Sequence, residues 1–377
     1  MLLHGIFPPI TTPFYPDGRV YLKKLQHNVE RYSKTPVAGI VVLGSTGEAI
    51  MLSDEERREV LKTARESCAA HKVLIAGTGA ESAVETLRLT EYAAELGYDV
   101  ALVRTPHFYR PQMQPANLLA FYRTVADRSP IPIMIYSVPV FTNYDMPAEL
   151  VIELAEHTNI IGIKESGGDI EKIRRMAENT RHIKRSATVT ETFAAVTPRM
   201  RVSVESKSPG NGVLVPVAAL AGPAREGAEH EIAELGSAGR AAIPTAAGES
   251  RSSGDTPKRK TRQKEVGFQI VAGAAQKLHA SLDAGAVGAV LAFACPAPTA
   301  CYEIYAAWKE GDTDLARLKQ ERISQAAVRV GSQLGIPALK YAMDLNGYYG
   351  GPPRLLLLPL TADLKVEVER LMSDIRN

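Results

Sequence analysis

Asn159-Ile160-Ile161-Gly162-Ile163-Lys164-Glu165-Ser166-Gly167-Gly168-Asp169 reads as a short apolar strand closed by a lysine, then a glycine turn, then an acidic N-cap for a helix. The same unit recurs along the chain. Apolar, β-rich runs predict strands over 5–10, 39–43, 73–77, 100–104, 133–137, 160–164, 269–273 and 288–293. Amphipathic stretches lie between them, the pattern of a parallel sheet with helices packed over it. Ser53-Asp54-Glu55-Glu56 forms a capping box before Val60 and Leu61, Pro147 opens a helix carrying Leu150, Val151 and Leu154, and Asp169 caps the helix after the Lys164 turn. Eight strands of this kind predict an α/β fold, a (β/α)8 barrel, in which chemistry gathers on the loops at the C-terminal strand ends. Lys164 stands at such an end.

The barrel is expected over 1–185 and 265–300, followed by C-terminal helices over 301–377. Between them, residues 186–264 lose the pattern to Ala, Gly, Ser, Pro and scattered charge, ending in Pro257-Lys258-Arg259-Lys260-Thr261-Arg262-Gln263-Lys264. So long a connection between strands six and seven reads as a disordered insert or as a functional lid beside Lys164. Its basic run reads as solvated linker. Its low pattern content also fits translated intron or frame-shifted sequence.

With 377 residues, 45% hydrophobic and 23% charged, the chain can bury a large core. A net charge of +2 gives no reason to expect nucleic acid or a membrane surface as partner. Cys68, Cys295 and Cys301 make no zinc spacing, and so sparse a set suits a reducing compartment, hence the cytoplasm. The first residues show neither a signal peptide nor a membrane span.

A lysine closing a buried strand either snorkels to solvent or serves as a nucleophile, because an amine stripped of hydration populates the neutral form that attacks a carbonyl. Gly44-Ser45-Thr46-Gly47-Glu48 follows the second strand and brings two hydroxyls and several N–H groups to the barrel mouth, where a small carboxylate can be held. The alternative for this loop is a tight βα turn. Tyr136, in Tyr136-Ser137-Val138-Pro139 at the end of strand five, can pass protons to an adduct on Lys164 or simply line the barrel. The eight histidines are scattered without metal-ligand spacing, so neither metal nor cofactor is expected.

Ile10-Thr11-Thr12-Pro13-Phe14, Gly44-Ser45-Thr46-Gly47-Glu48, Thr105-Pro106-His107-Phe108-Tyr109-Arg110-Pro111, Tyr136-Ser137-Val138-Pro139 and Gly162-Ile163-Lys164-Glu165 together resemble the dihydrodipicolinate synthase / N-acetylneuraminate lyase family. The resemblance spans about 5–185 and 265–375. It implies a barrel with a C-terminal helical extension, assembly as a homodimer or homotetramer, and a Schiff base with pyruvate or another small 2-oxo acid. By the same resemblance Lys164 is the Schiff-base lysine, and Tyr136 and Thr46 serve the proton relay. Ser45, Thr46, Ser166, Gly273 and Val290 then bind substrate. Phe141 stands where the synthases carry an arginine for the carboxylate of aspartate semialdehyde. Phe108 stands where the family usually places a relay tyrosine that reaches across the dimer, leaving Tyr109 or water to substitute. With the turn after Lys164 and the tail segments Gly335 to Lys340 and Gly347 to Pro352, Phe141 favours 4-hydroxy-2-oxoglutarate, or a related 2-oxo-3-deoxy acid, as substrate of an aldolase. The alternatives are 4-hydroxytetrahydrodipicolinate synthase, acting on pyruvate and aspartate semialdehyde, and a catalytically impaired barrel with an interaction insert.

Overall fold

The structure, a computed structural model, describes residues 1–200 and 260–375. The described residues form the strands β1 Gly5–Phe7, β2 Gly39–Val42, β3 Val73–Gly77, β4 Val100–Arg104, β5 Ile133–Ser137, β6 Ile160–Glu165, β7 Arg185–Thr190, β8 Thr261–Val266, β9 Gln269–Ala272 and β10 Gly288–Val290. Eight of them make one parallel sheet in the order β1-β10-β9-β6-β5-β4-β3-β2. It closes on itself through β1 and β2: the Ala38 N–H donates to Ile6 O, the Val41 N–H to Pro8 O and the Ile10 N–H to Val41 O, each at 2.9 Å. This is a (β/α)8 barrel. Along β4 the side chains alternate as a closed sheet requires. Val100 and Leu102 pack inside with Met134 and Tyr136, while Ala101 and Val103 pack with the surrounding helices.

Two strands stop three residues short of their apolar runs. β1 ends at Phe7 because Pro8 and Pro9 bring no N–H to a ladder. β10 ends at Val290, where the chain tightens into the turn Ala292–Ala294 and then enters the helix Pro298–Glu310. The helix starts agree with their capping signals. The Ser53 hydroxyl accepts from Glu56 N–H at 3.2 Å, Glu56 Oε2 accepts from Ser53 N–H at 2.9 Å, and Asp169 accepts from Lys172 N–H at 3.1 Å. Helices Thr313–Ala326, Ile336–Leu345 and Ala362–Leu371 form the C-terminal extension.

The ends of the segment expected as a patternless insert are structured. β7 and β8 pair antiparallel from Arg185↔Val266 to Thr190↔Thr261, so part of the basic run is a strand. They alternate weakly because only Ala187, Val189 and Val266 are buried, against Leu2. The hairpin follows the helix Ile170–Asn179, which returns the chain to the N-terminal ends of the strands, away from Lys164. Residues beyond β7 dock at that same end. The Thr197 hydroxyl donates to Ala70 O at 2.5 Å, and buried Arg199 donates to Lys72 O and lies 3.6 Å from Asp99, just before β4. Burial pushes the Asp99 carboxyl up, opposed by Arg199 and by the Leu74 N–H. The central part of the expected insert, 201–259, lies outside the described residues.

Burial, with smaller contributions from the charges of Lys264 and Lys309, pushes the His4 imidazole down to about 4. Its unfolded-state value is near 6.5, so the stability carried by the neutral ring is complete above pH 6.5 and lost as pH falls through about 4. That loss is at most about 3 kcal/mol. His4→Gln should therefore flatten the melting temperature between pH 6.5 and pH 4; an unaltered slope would assign the acid sensitivity to other groups.

Candidate active site

Parallel register places Tyr136 opposite Lys164, and Lys164 opposite Val271, at the C-terminal ends of β5, β6 and β9. Lys164 and Tyr136 are 4% and 5% exposed. The Lys164 Nζ lies 4.0 Å from the centroid of the Tyr136 ring, and the Tyr136 hydroxyl lies 3.3 Å from Ser45 Oγ. The ends of β6 and β5 and the turn after β2 thus bring an amine, a phenol and a serine hydroxyl together. The hydroxyl that meets Tyr136 is that of Ser45; Thr46, the next residue of the turn Ser45–Gly47, is buried beside it.

That turn is clamped from the far end of the chain. Glu48 adopts a left-handed φ of 55°, unusual for a residue with a side chain. Its carboxylate is completely buried, 2.6 Å from Lys340 Nζ, and accepts the Arg354 N–H at 2.8 Å. Lys340 also donates to Thr12 O and Pro352 O, both at 2.9 Å, and Thr12 donates to Gly47 O at 2.6 Å. The C-terminal extension therefore holds the Ser45 turn in place.

On the other side of Lys164, the buried Glu165 accepts the Gly167 and Gly168 N–H groups, both at 2.8 Å, and lies 3.7 Å from Lys172. Burial pushes its carboxyl up; Lys172 and the two amides oppose this. Gly273 donates its N–H to Glu165 O at 2.7 Å and lies so near Ser166 that a Cβ there would stand 2.2 Å from the serine Oγ. Only glycine permits this approach. Ser166 Oγ is buried without a hydrogen-bond partner, as are Thr105 Oγ1 and Ser137 Oγ, all three at the same barrel mouth. Val290 is 1% exposed in the barrel interior with Tyr136 and Val271.

A cavity of about 560 Å³ opens at the mouth, lined among others by Ser45, Tyr136, Thr142 and Phe141. It is also lined by a polar cluster that the sequence did not single out. Arg104 lies 3.0 Å from Glu81, His107 Nδ1 lies 2.5 Å from the same Glu81 oxygen, and the other oxygen accepts the His107 and Phe108 N–H groups at 3.0 Å. Phe108 and Tyr109 are 73% and 68% exposed and stack edge to face on each other. Among the described residues, no group of three or more His, Cys, Asp or Glu is placed to hold a metal ion, and no helix is long and apolar enough to cross a membrane.

The sequence matches the profile of the dihydrodipicolinate synthetase family over residues 2–189 and 239–375. It is 36% identical over 224 residues to the 4-hydroxy-tetrahydrodipicolinate synthase of Methanosarcina barkeri, covering 59% of this chain and 73% of that protein. To the synthase of Methanoculleus marisnigri it is 36% identical over 244 residues, covering 64% and 80%. Both names match the alternative activity drawn from the sequence, not 4-hydroxy-2-oxoglutarate cleavage. Among solved structures, a dihydrodipicolinate synthase from Bacillus anthracis aligns with a TM-score of 0.73 at 19% identity over all of both chains. A prophage protein of the dihydrodipicolinic acid synthase family from E. coli K12, solved in complex with pyruvate, aligns with a TM-score of 0.71 at 22% identity, over 100% of this chain and 99% of that one. At such identities the structural likeness speaks for the fold.

Proposed function

The chain belongs to the dihydrodipicolinate synthetase family, whose members are class I carbon–carbon lyases, and from that premise we propose that Lys164 forms an imine with pyruvate and couples it to an aldehyde. The observation that carries this reading is the buried Lys164 amine 4.0 Å from the Tyr136 ring at the end of β6. The neutral amine attacks the keto carbon, the carbinolamine loses water, and the iminium then acts as an electron sink. Loss of a proton from the methyl group gives an enamine, whose carbon forms the new bond to the aldehyde carbon as the aldehyde oxygen takes up a proton. Hydrolysis of the product imine frees Lys164, and the reverse sequence cleaves the same bond. Tyr136, hydrogen-bonded to Ser45, exchanges protons with the adduct, and Thr46 serves the same relay. The amides and hydroxyls of the Ser45–Thr46 turn hold the pyruvate carboxylate, while Gly273, Ser166 and Val290 border its other side.

Aspartate semialdehyde is the first acceptor to consider, in line with the names of the synthases from Methanosarcina barkeri and Methanoculleus marisnigri. Phe141 supports a second reading, cleavage of 4-hydroxy-2-oxoglutarate to pyruvate and glyoxylate, because it stands where the resemblance places the synthases' arginine for the carboxylate of aspartate semialdehyde. Borohydride reduction in the presence of pyruvate, followed by peptide mass spectrometry, should place the adduct on Lys164. Initial rates with aspartate semialdehyde and with glyoxylate then separate the two acceptors. A label on another lysine, or turnover that requires a divalent metal, would refute the imine chemistry.

A further inference from the structure

We propose that Arg104 receives a carboxylate on the acceptor aldehyde, so that the enzyme selects anionic aldehydes through β4 rather than through position 141. The proposal rests on the imine reading above. Arg104 pairs in register with Tyr136, which pairs with Lys164, so the three residues occupy the same level on neighbouring strands. With strands about 4.8 Å apart, the Arg104 and Lys164 backbones are separated by about 10 Å, the span of a pyruvate adduct followed by a short aldehyde. Inward alternation from Val100 and Leu102 carries Arg104 to the mouth, where it lines the same cavity as Ser45 and Tyr136.

The site is built for this side chain. A Cβ at residue 79 would stand 2.8 Å from Arg104 Cγ and 2.4 Å from its backbone nitrogen, so Gly79 makes the room that Arg104 occupies. The side chain is 18% exposed, and its contacts to Glu81 at 3.0 Å, Thr105 O at 3.1 Å and His107 Nδ1 at 2.8 Å are all made by Nη1. These fix the plane of the fork and leave its Nε/Nη2 edge, the geometry that binds a carboxylate through two parallel bonds. Arg57, the other arginine lining the cavity, instead commits its Nε to Ala49 O at 3.1 Å.

The test compares the parent with Arg104→Met, Arg104→Lys and Glu81→Gln, using pyruvate with glyoxylate, aspartate semialdehyde and the uncharged glyceraldehyde. Arg104→Met should raise KM for the carboxylated aldehydes about tenfold to a hundredfold, the expected loss of a charge-assisted contact, with a much smaller change for glyceraldehyde. Arg104→Lys should recover part of the preference. Glu81→Gln, which keeps the arginine, should retain it. Equal losses on charged and uncharged aldehydes, or a Glu81→Gln variant that loses the preference as Arg104→Met does, would reduce Arg104 to a support for the 107–108 loop and overturn the proposal. Trapping of pyruvate on Lys164 in each variant reads the imine step separately, so failure there in the parent counts against the proposed function and not against Arg104.

Discussion

Lys164→Ala is expected to lose turnover by at least about a thousandfold while keeping its fold. No neighbouring amine can take over. Lys172 lies against Asp145 and Glu165, and Lys340 is bound to Glu48 and two carbonyls, so both are engaged and neither meets Tyr136. Lys164 sits over the Tyr136 ring face, so its loss leaves no buried carboxylate unpaired. The measurement is kcat with pyruvate and the preferred aldehyde, alongside a melting curve and borohydride labelling. Residual turnover near that of the parent, with a normal melting curve, would exclude an imine at this position.

The second large effect concerns stability. Lys340→Met should cost about 3–5 kcal/mol, because it strands the fully buried Glu48 carboxylate without its cation. Burial pushes the Lys340 ammonium down, while Glu48 opposes this, as expected of a cation kept charged by its partner. Glu48 also holds the left-handed backbone that ends the Ser45 turn, so surviving Lys340→Met protein should show a raised KM for pyruvate. Denaturant unfolding of Lys340→Met, Glu48→Gln and the double variant Glu48→Gln/Lys340→Met measures the coupling. If the double variant is no more stable than Lys340→Met alone, the charge-stranding account fails.

Lys164, Tyr136 and the Ser45–Thr46 turn were legible in the sequence because each is a polar group placed where an apolar run stops, and strand ends of a barrel converge. Arg104 closes its strand in the same way, yet Thr105-Pro106 follows it instead of a glycine turn, and its partner Glu81 lies on another loop. The Glu48–Lys340 pair joins residues far apart in the sequence, a closeness created by docking of the C-terminal helix Ile336–Leu345 on the Ser45 turn. The hairpin ends escaped for a different reason. β8, Thr261–Val266, is almost wholly polar, and its one well-buried side chain, Val266, gives no alternation to read. The early stop of β1 was written in Pro8 and Pro9, whose missing N–H groups outweigh the apolar character of the run.

The pairing of β1 with β10, Gly5 against Gly288, carries a consequence for how the molecule is made. The two strands that complete the ring lie far apart in the sequence, and the Leu3 N–H further waits for Gln269 Oε1, 2.7 Å away in the finished structure. A nascent chain emerging from the ribosome therefore carries an unpaired edge on β1 until Val290 has been translated. Contacts of such long sequence separation form slowly, and open strand edges invite pairing with other chains. Truncation before Gly288 should thus yield an open sheet that elutes as aggregate on size exclusion, where the full chain does not.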